Sequence, residues 1–440
     1  MLFINALKFI NEYLCSPALV SAMSLCGVFF AVRLKAFRPL RWLSAIKELK
    51  NGKGEGGISP LSSLSVALAG TLGVGNIAGV AVAISVGGAG AVFWMTVSAL
   101  IGAVLKYCEA YLSVKLRRPG SHEGGAPYYI EKISGRKTGV VYAVLCIITS
   151  FISGPFIQMN AASSAVKVSY GLPKIAVGAV FAVICLTVAV GGISRVSAFT
   201  SAAMPVFCAV FAAVSVIAVS MRINEVPAVI ARIFSEAFGV SQAAGGFSGA
   251  LIAAGIRQGM TKGVFSHEAG CGTSSFSHAA SSLSSPSAQG VIGVLEVLTD
   301  TLFFGGLTAL VILLSPAGKV FGSYDGAAVS ISAYSYFFSG AAEHILTVLT
   351  VFFAFATVLC WGYYGCASVR FISKNEKHVK AYLFIYCASM TLGAVVSPSL
   401  IWQLSDILCA VMLALNCACM IKGLPYFGSP NKSKNKAKCK

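Results

Sequence analysis

The chain has 440 residues, of which 57% are hydrophobic and only 11% are charged. A soluble domain usually carries about 25% charged residues, so this composition excludes an ordinary soluble protein. The formal net charge of +18 does not indicate nucleic acid as a partner, because most basic residues fall in loops between long apolar segments. The sequence predicts an all-α polytopic protein of the lipid bilayer of the cell (inner) membrane.

Segments that are long and apolar enough to cross a bilayer recur along the whole chain. We predict eleven, at 15–32, 60–86, 91–114, 138–166, 174–190, 197–220, 242–260, 290–314, 344–369, 381–397 and 402–421. The amphipathic segment 222–240 is too charged to cross and is expected on the outer surface. The N-terminus lacks the features of a cleaved signal peptide and is expected to be retained.

The basic residues give these spans a direction. Lys and Arg number 26 in the loops that we place in the cytoplasm and 6 in those that we place outside. Because cytoplasmic loops carry the excess of basic residues, the N-terminus is predicted outside and the C-terminus in the cytoplasm. We divide the chain into an N-terminal helix and basic loop (1–59), a core (60–421) and a basic tail (422–440).

The second predicted span, PLSSLSVALAGTLGVGNIAGVAVAISVGGAG (60–90), is rich in glycine at its middle. Glycine inside a helix costs about 1 kcal/mol relative to alanine, so a segment that only crosses the bilayer would use leucine. A helix break at mid-depth is tolerated only where the freed backbone lines a cavity or meets a ligand. We therefore predict a discontinuous helix whose two ends bind a small solute and a cation. Close helix packing through small residues is the alternative.

The seventh predicted span, 242–260, is also interrupted by glycines. When the first span is set aside, this is the sixth of ten, and 60–86 is the first. Two broken helices in corresponding positions indicate an inverted repeat with a binding site at the membrane midplane. The two five-helix halves would be about 60–222 and 241–421.

Four stretches resemble the alanine or glycine:cation symporter family. They are GTLGVGNIAGVAVAISVGGAGAVFWMTVSALIGAVLKYCEA (70–110), GMTKGVFSHEAGCGTSSFSHAA (259–280), DTLFFGGLTALVILL (300–314) and FAFATVLCWGYYG (353–365). The resemblance implies a LeuT-like five-plus-five inverted repeat after one extra helix, and sodium-coupled uptake of small neutral amino acids. Three residues depart from the family pattern, namely His267 for Asn, Cys366 for Glu and Val74 for Thr.

A zwitterionic amino acid needs partners for both of its charges. The N–H groups of Gly73 and Gly75, with the Thr71 hydroxyl, suit the carboxylate. Carbonyl groups at the break and the amide of Gln158 suit the ammonium group. Trp361 would close a small side-chain pocket that selects glycine or alanine. The full set of candidate substrate-binding residues is Thr71, Gly73, Gly75, Gln158, Asn160, Thr357 and Trp361.

Sodium prefers hard oxygen ligands. Backbone carbonyls at the break, including that of Gly70, together with Asn76 and the Thr357 hydroxyl, form the predicted sodium site.

Acidic residues within spans are costly and are therefore candidates for coupling or gating. Glu296 and Asp300 are four residues apart, so we expect them to share a helix face, with one protonated or a cation between them. We expect Glu109 to pair with Lys106. Asp406, near the outer end of its helix, is expected to be solvated.

Glu268 lies in FSHEAG, in a stretch (261–289) that we read as a polar cytoplasmic loop. This motif is not H-E-x-x-H, because no second histidine follows at the required offset. A gate or a loop-locking hydrogen bond is therefore a better interpretation than a zinc protease.

The function predicted from these features is sodium-coupled import of alanine or glycine by alternating access. A proton-coupled permease that uses Glu296 and Asp300 as proton carriers is the alternative. A channel is less favoured, because the chain has no filter motif. An enzyme is excluded, since no nucleophile–base pair or metal cluster occurs within a span. We expect no covalent cofactor, and sodium as the coupling ion.

Overall fold

The computed structural model describes residues 7, 9–34, 56–239 and 248–427. Most of the predicted basic loop, the start of the seventh predicted span and most of the basic tail lie outside the described residues.

The described residues up to 239 include nine α-helices, two of which, α2 and α3, correspond to the single span predicted at 60–86. They are α1 (Asn11–Leu34), α2 (Pro60–Thr71), α3 (Ala78–Gly87), α4 (Gly90–Lys115), α5 (Ala126–Ser134), α6 (Arg136–Tyr170), α7 (Lys174–Ala189), α8 (Gly192–Ser220) and α9 (Val226–Phe238). The second part forms α10 (Ser248–His267), α11 (Ser275–Ala279), α12 (Pro286–Leu313), α13 (Gly326–Phe338), α14 (Gly340–Ile372), α15 (Glu376–Gly393) and α16 (Pro398–Lys422). The described residues are therefore predominantly helical, as predicted for a polytopic membrane protein.

Seven of these helices are long and apolar enough to cross a membrane, or eight if the bent pair α2–α3 counts as one span. Helix α7 is apolar but shorter. Among the described residues each predicted span overlaps a helix, or, at 60–86, the bent pair α2–α3, yet the number of eleven crossings stays a prediction.

Three helices occupy segments that we expected to be loops, namely α5, α11 and α13. Two of them, α13 and α5, are marked by a local signal that the hydropathy pattern does not show. The Asp325 side chain accepts a hydrogen bond from the N–H of Ala328 and so caps α13. Helix α5 carries proline in its first turn, where the missing N–H has no intrahelical partner to lose.

Helix α14 lies at the centre of the bundle, since 83% of its most apolar window is buried, against 22% for α8. Helices α10 and α12 both pack along α4, and α1 packs against α16 and α4. The exposed apolar surface of α8 is suited to contact with lipid, whereas most of α14 faces other helices. The bent pair α2–α3 packs against α14 and α10, inside this bundle.

Candidate functional site

The chain breaks between α2 and α3. Helix α2 ends at Thr71, a short 3-10 turn covers Val74–Asn76, and α3 starts at Ala78. The two helical pieces are bent by 56°. The N–H of Val74 donates to the Gln158 Oε1 atom at 3.1 Å, so a side chain from α6 satisfies a backbone group that the break releases. The predicted discontinuous helix is confirmed.

The side chains of Thr357 and Gln158 pack closely against this break at Gly73. A Cβ atom at Gly73 would lie 2.3 Å from the Thr357 Oγ1 atom and 3.1 Å from the Gln158 Oε1 atom. The Thr357 hydroxyl, on α14, donates to the carbonyl of Ala69 at 2.8 Å. Glycine is therefore required here for close approach, because any larger residue would displace the threonine.

A second break lies after α10 and not within it. The predicted interruption at 242–260 is therefore wrong for the residues from Ser248 onward. Helix α10 is continuous to His267. Beyond it the backbone takes positive φ angles of 52° at Glu268, 90° at Gly270 and 83° at Gly272. The polar loop predicted at 261–289 is also wrong at its start, because α10 continues to His267; His267 is fully buried, and Glu268 is 5% exposed.

The glycines of α10 serve helix packing. A Cβ atom at Gly259 would lie 2.3 Å from the carbonyl oxygen of Ala91, and one at Gly263 would lie 2.6 Å from the Ser98 hydroxyl. These small residues allow α4 to approach α10 closely. This packing explains why glycine content alone misplaced the second break.

The two breaks meet in a buried polar group that we call the Asp300 cluster, comprising Asn76, Ser266, Asp300 and Thr301. The Asn76 amide donates to the Asp300 Oδ1 atom at 2.5 Å. The Ser266 hydroxyl lies 2.8 Å from the Asn76 Oδ1 atom and 2.9 Å from the Asp300 Oδ2 atom. The Thr301 hydroxyl donates to Asp300 Oδ2 at 2.8 Å. The cluster thus joins the first break, the end of α10 and α12.

No basic side chain pairs with Asp300 among the residues that the structure describes, and Asp300 is fully buried. A buried carboxylate without a counter-charge is unfavourable by several kcal/mol. The surrounding donors offset part of that cost, and a cation or a proton would offset the rest. Ser266 lies in the last turn of α10, and the partial negative charge at this helix end also favours a cation.

Glu296 does not join this cluster, and the helix face that we expect it to share with Asp300 stays a prediction. Glu296 lies 3.2 Å from the Lys106 Nζ atom and 2.8 Å from the His278 Nε2 atom. A π-helical stretch at Leu298–Gly305 follows Glu296 and contains Asp300. Its wider turn changes the side-chain spacing that a regular α-helix would give.

Two other expected partners are also different. Glu109 does not pair with Lys106 but accepts a hydrogen bond from the Asn416 amide at 2.7 Å. Asp406 is not solvated: it is 5% exposed, and both of its carboxylate oxygens lie 2.8 Å from the Lys262 Nζ atom. Lys262 was missed because sequence reading placed it in a loop.

The remaining substrate-binding candidates, Thr71, Asn160 and Trp361, either lie apart from the two breaks or contact residues of their own helix. The Thr71 hydroxyl donates to Ala67 of its own helix at 3.2 Å. The Asn160 amide donates to the carbonyl of Val396 at 2.7 Å, beside the end of α15. Trp361 packs edge-on against Tyr364, with the ring centroids 5.8 Å apart.

The other predicted positions are close to the breaks. A Cβ atom at Gly70 would lie 2.7 Å from the Tyr364 hydroxyl, and one at Gly75 would lie 3.3 Å from the Phe265 ring. Glu268 accepts a hydrogen bond from the Thr273 hydroxyl within the second break.

The predicted sodium ligands therefore divide between two places. Of these ligands, Thr357 meets the substrate candidates Gly73 and Gln158 on one side of the first break, whereas Asn76 binds Asp300 and Ser266. Sequence reasoning missed Ser266, although it belongs to the recognised FSHEAG motif, because that motif was placed in a cytoplasmic loop. Thr301 follows Asp300 directly and carries no separate sequence signal.

Comparison with known proteins agrees with this geometry. The family model described as "Sodium:alanine symporter family" matches residues 1–424. The probable sodium/glutamine symporter GlnT of Bacillus subtilis is 31% identical over 412 residues, covering 92% of this chain and 85% of that protein. The sodium/alanine symporter AgcS of Methanococcus maripaludis is 31% identical over 427 residues, covering 94% and 93%.

Among solved structures, MhsT in complex with L-phenylalanine superposes with a TM-score of 0.63 at 13% identity, covering 87% of this chain and 95% of that chain. This likeness shows a shared LeuT fold. The family match and the relatives together also confirm the resemblance found in the sequence. The chain therefore belongs to the sodium:alanine symporter family, whose members are membrane transporters.

Proposed function

We propose that this protein imports a small neutral amino acid, alanine or glycine, together with sodium, by alternating access. The observation that carries the proposal is the Asp300 cluster, where a buried carboxylate without a basic partner joins two helix breaks. Helix breaks with free carbonyl groups are the sites at which transporters of this architecture hold a coupling ion.

Sodium would bind to the Asp300 carboxylate, the Asn76 side-chain oxygen and the Ser266 hydroxyl, and would replace hydrogen bonds that now join them. All three are oxygen ligands, which hard cations prefer. The Thr357 hydroxyl and the carbonyl groups near Gly70 form a second set of possible oxygen ligands on the other side of the break. Both places remain candidates for the ion.

The amino acid would lie at the first break. The N-terminus of α3 presents free N–H groups, with Gly75 just before it, and suits the carboxylate. Gln158 and Thr357 offer acceptors for the ammonium group, with Thr71 beside them. Trp361 would limit the side-chain space from the neighbouring turn of α14. Asn160 would act at the outer approach to this site.

Glu268 and Glu296 flank the second break and would act in gating. Glu268 is held by Thr273 inside the break itself. Glu296 joins α12 to α4 and to His278 through buried contacts. Movement of α11 relative to α4 would have to open these contacts.

The proposed arrangement keeps two five-helix halves, 60–222 and 241–421, with the N-terminus outside and the C-terminus in the cytoplasm. The bias in basic residues supports this orientation.

Proton coupling is the second candidate, because a lone buried carboxylate such as Asp300 could carry a proton as well as bind sodium. The two are distinguished by uptake of radiolabelled alanine into proteoliposomes. An inward sodium gradient at equal pH should drive accumulation, and a proton gradient in choline buffer should not. Accumulation with the proton gradient alone would replace sodium by protons, and no accumulation with any gradient would refute alanine transport.

A further inference from the structure

A cavity separate from the two breaks opens where the α7–α8 turn faces the end of α14 and the start of α15. Val190, Val196, Leu359 and Leu383 form its apolar walls. Val196 and Leu359 are buried, whereas Val190 is 67% exposed at the opening. Val183 on α7 is also 67% exposed. In a membrane protein such exposed apolar side chains face acyl chains, so the cavity opens toward lipid.

The polar end of this cavity is strongly basic. Arg370, Lys380 and Glu376 line it, and positions close to the lining residues in the sequence add Arg195, Lys374 and Lys377. The only acidic residue in 366–383 is Glu376, whose oxygens lie 3.0 and 3.2 Å from the Arg370 guanidinium. In the part of the chain that the structure describes, no carboxylate lies within ion-pair distance of the three lysines, although Glu376 interacts with Lys380 at longer range.

Cys366 makes the cavity less acidic than the resemblance to the family would predict. It lines the cavity and is 8% exposed, at a position where the family usually has glutamate. A glutamate there would add a carboxylate near Arg370. The uncharged Cys366 thiol instead leaves the cavity wall apolar beside the basic residues of its polar end.

We propose that this cavity binds one anionic phospholipid, with an acyl chain along Val190 and Val196 and the phosphate against Lys380 and Arg370. A basic pocket between helix ends at the membrane surface suits an anionic headgroup. The apolar walls distinguish such a lipid from soluble phosphate, and the unpaired lysines distinguish it from a zwitterionic lipid.

The test measures lipid binding to the purified full chain in detergent by native mass spectrometry. Phosphatidylglycerol should bind at least tenfold more tightly than phosphatidylcholine of the same chains, and inorganic phosphate should neither bind stably nor compete. The double variant Lys377→Gln/Lys380→Gln should weaken phosphatidylglycerol binding roughly 25-fold, since each basic residue near an anionic headgroup is worth roughly a factor of five. The control variant Lys132→Gln/Lys137→Gln removes the same charge around the turn between α5 and α6, and it should change phosphatidylglycerol binding less than twofold.

Cys366→Glu tests the cavity wall independently and should weaken phosphatidylglycerol binding, whereas Cys366→Ser should not. Equal binding of both lipids would overturn the proposal. So would competition by inorganic phosphate, or unchanged binding in both the double lysine variant and Cys366→Glu. Because no member of the Asp300 cluster lines the cavity, these results do not depend on the transported solute.

Discussion

Replacing Asp300 by asparagine probes the centre of the proposed cation site. The substitution keeps the size of the side chain and removes its charge. In the structure three donors surround the carboxylate, from Asn76, Ser266 and Thr301, at 2.5 to 2.9 Å. A contact to a charged group contributes about 1.5–3 kcal/mol. If sodium takes one such contact from Asp300, Asp300→Asn should weaken sodium binding roughly 10- to 150-fold.

The assay is the sodium concentration that gives half-maximal alanine uptake in proteoliposomes, compared for wild type and Asp300→Asn. Glu225→Gln is the control, since Glu225 is exposed and pairs with Arg222 at the surface; its half-maximal concentration should stay within twofold. Gel filtration in detergent verifies that both variants fold. A folded Asp300→Asn protein with an unchanged sodium requirement would refute the assignment of the cation to this cluster.

Two further predictions concern packing. Gly73→Ala should abolish uptake, because the added Cβ would lie 2.3 Å from the Thr357 Oγ1 atom. The control Gly306→Ala should leave uptake unchanged, because a Cβ atom there meets nothing within 4 Å. Equal activity of both variants would contradict the close approach of Thr357 to Gly73. Glu296→Gln should lower the thermal unfolding midpoint in detergent, since an unpaired buried Lys106 costs about 3–5 kcal/mol. The double variant Lys106→Met/Glu296→Gln should recover part of the loss, and no recovery would show that the two residues are not coupled.

The first break could be predicted from the sequence because its cause is local. Four glycines and an asparagine in an apolar segment are unfavourable for a plain helix, and the chain indeed leaves the helix at Leu72 and Gly73. The second break was misplaced because glycine has two different structural roles in membrane proteins. At Gly259 it permits close packing, whereas at Gly270 and Gly272 it permits positive φ angles.

The partners of the buried charges could not be predicted, because they lie far apart in the chain. Lys106 has Glu109 one turn away, yet it pairs with Glu296, which is 190 residues distant. The pairing of Lys262 with Asp406 spans 144 residues. Helix periodicity restricts which residues share a face, but it does not say which helices pack together. The Asp300 cluster depends on such packing, so of its members only Asn76 was assigned to the predicted sodium site, and Asp300 was a coupling candidate.

The most direct test of the central claim is equilibrium binding of radiolabelled alanine to the purified protein, measured in sodium chloride and in choline chloride at the same ionic strength and pH. If the two breaks hold an amino acid and sodium together, saturable binding should occur in sodium and fall at least tenfold in choline. Equal alanine binding in both salts would contradict the account.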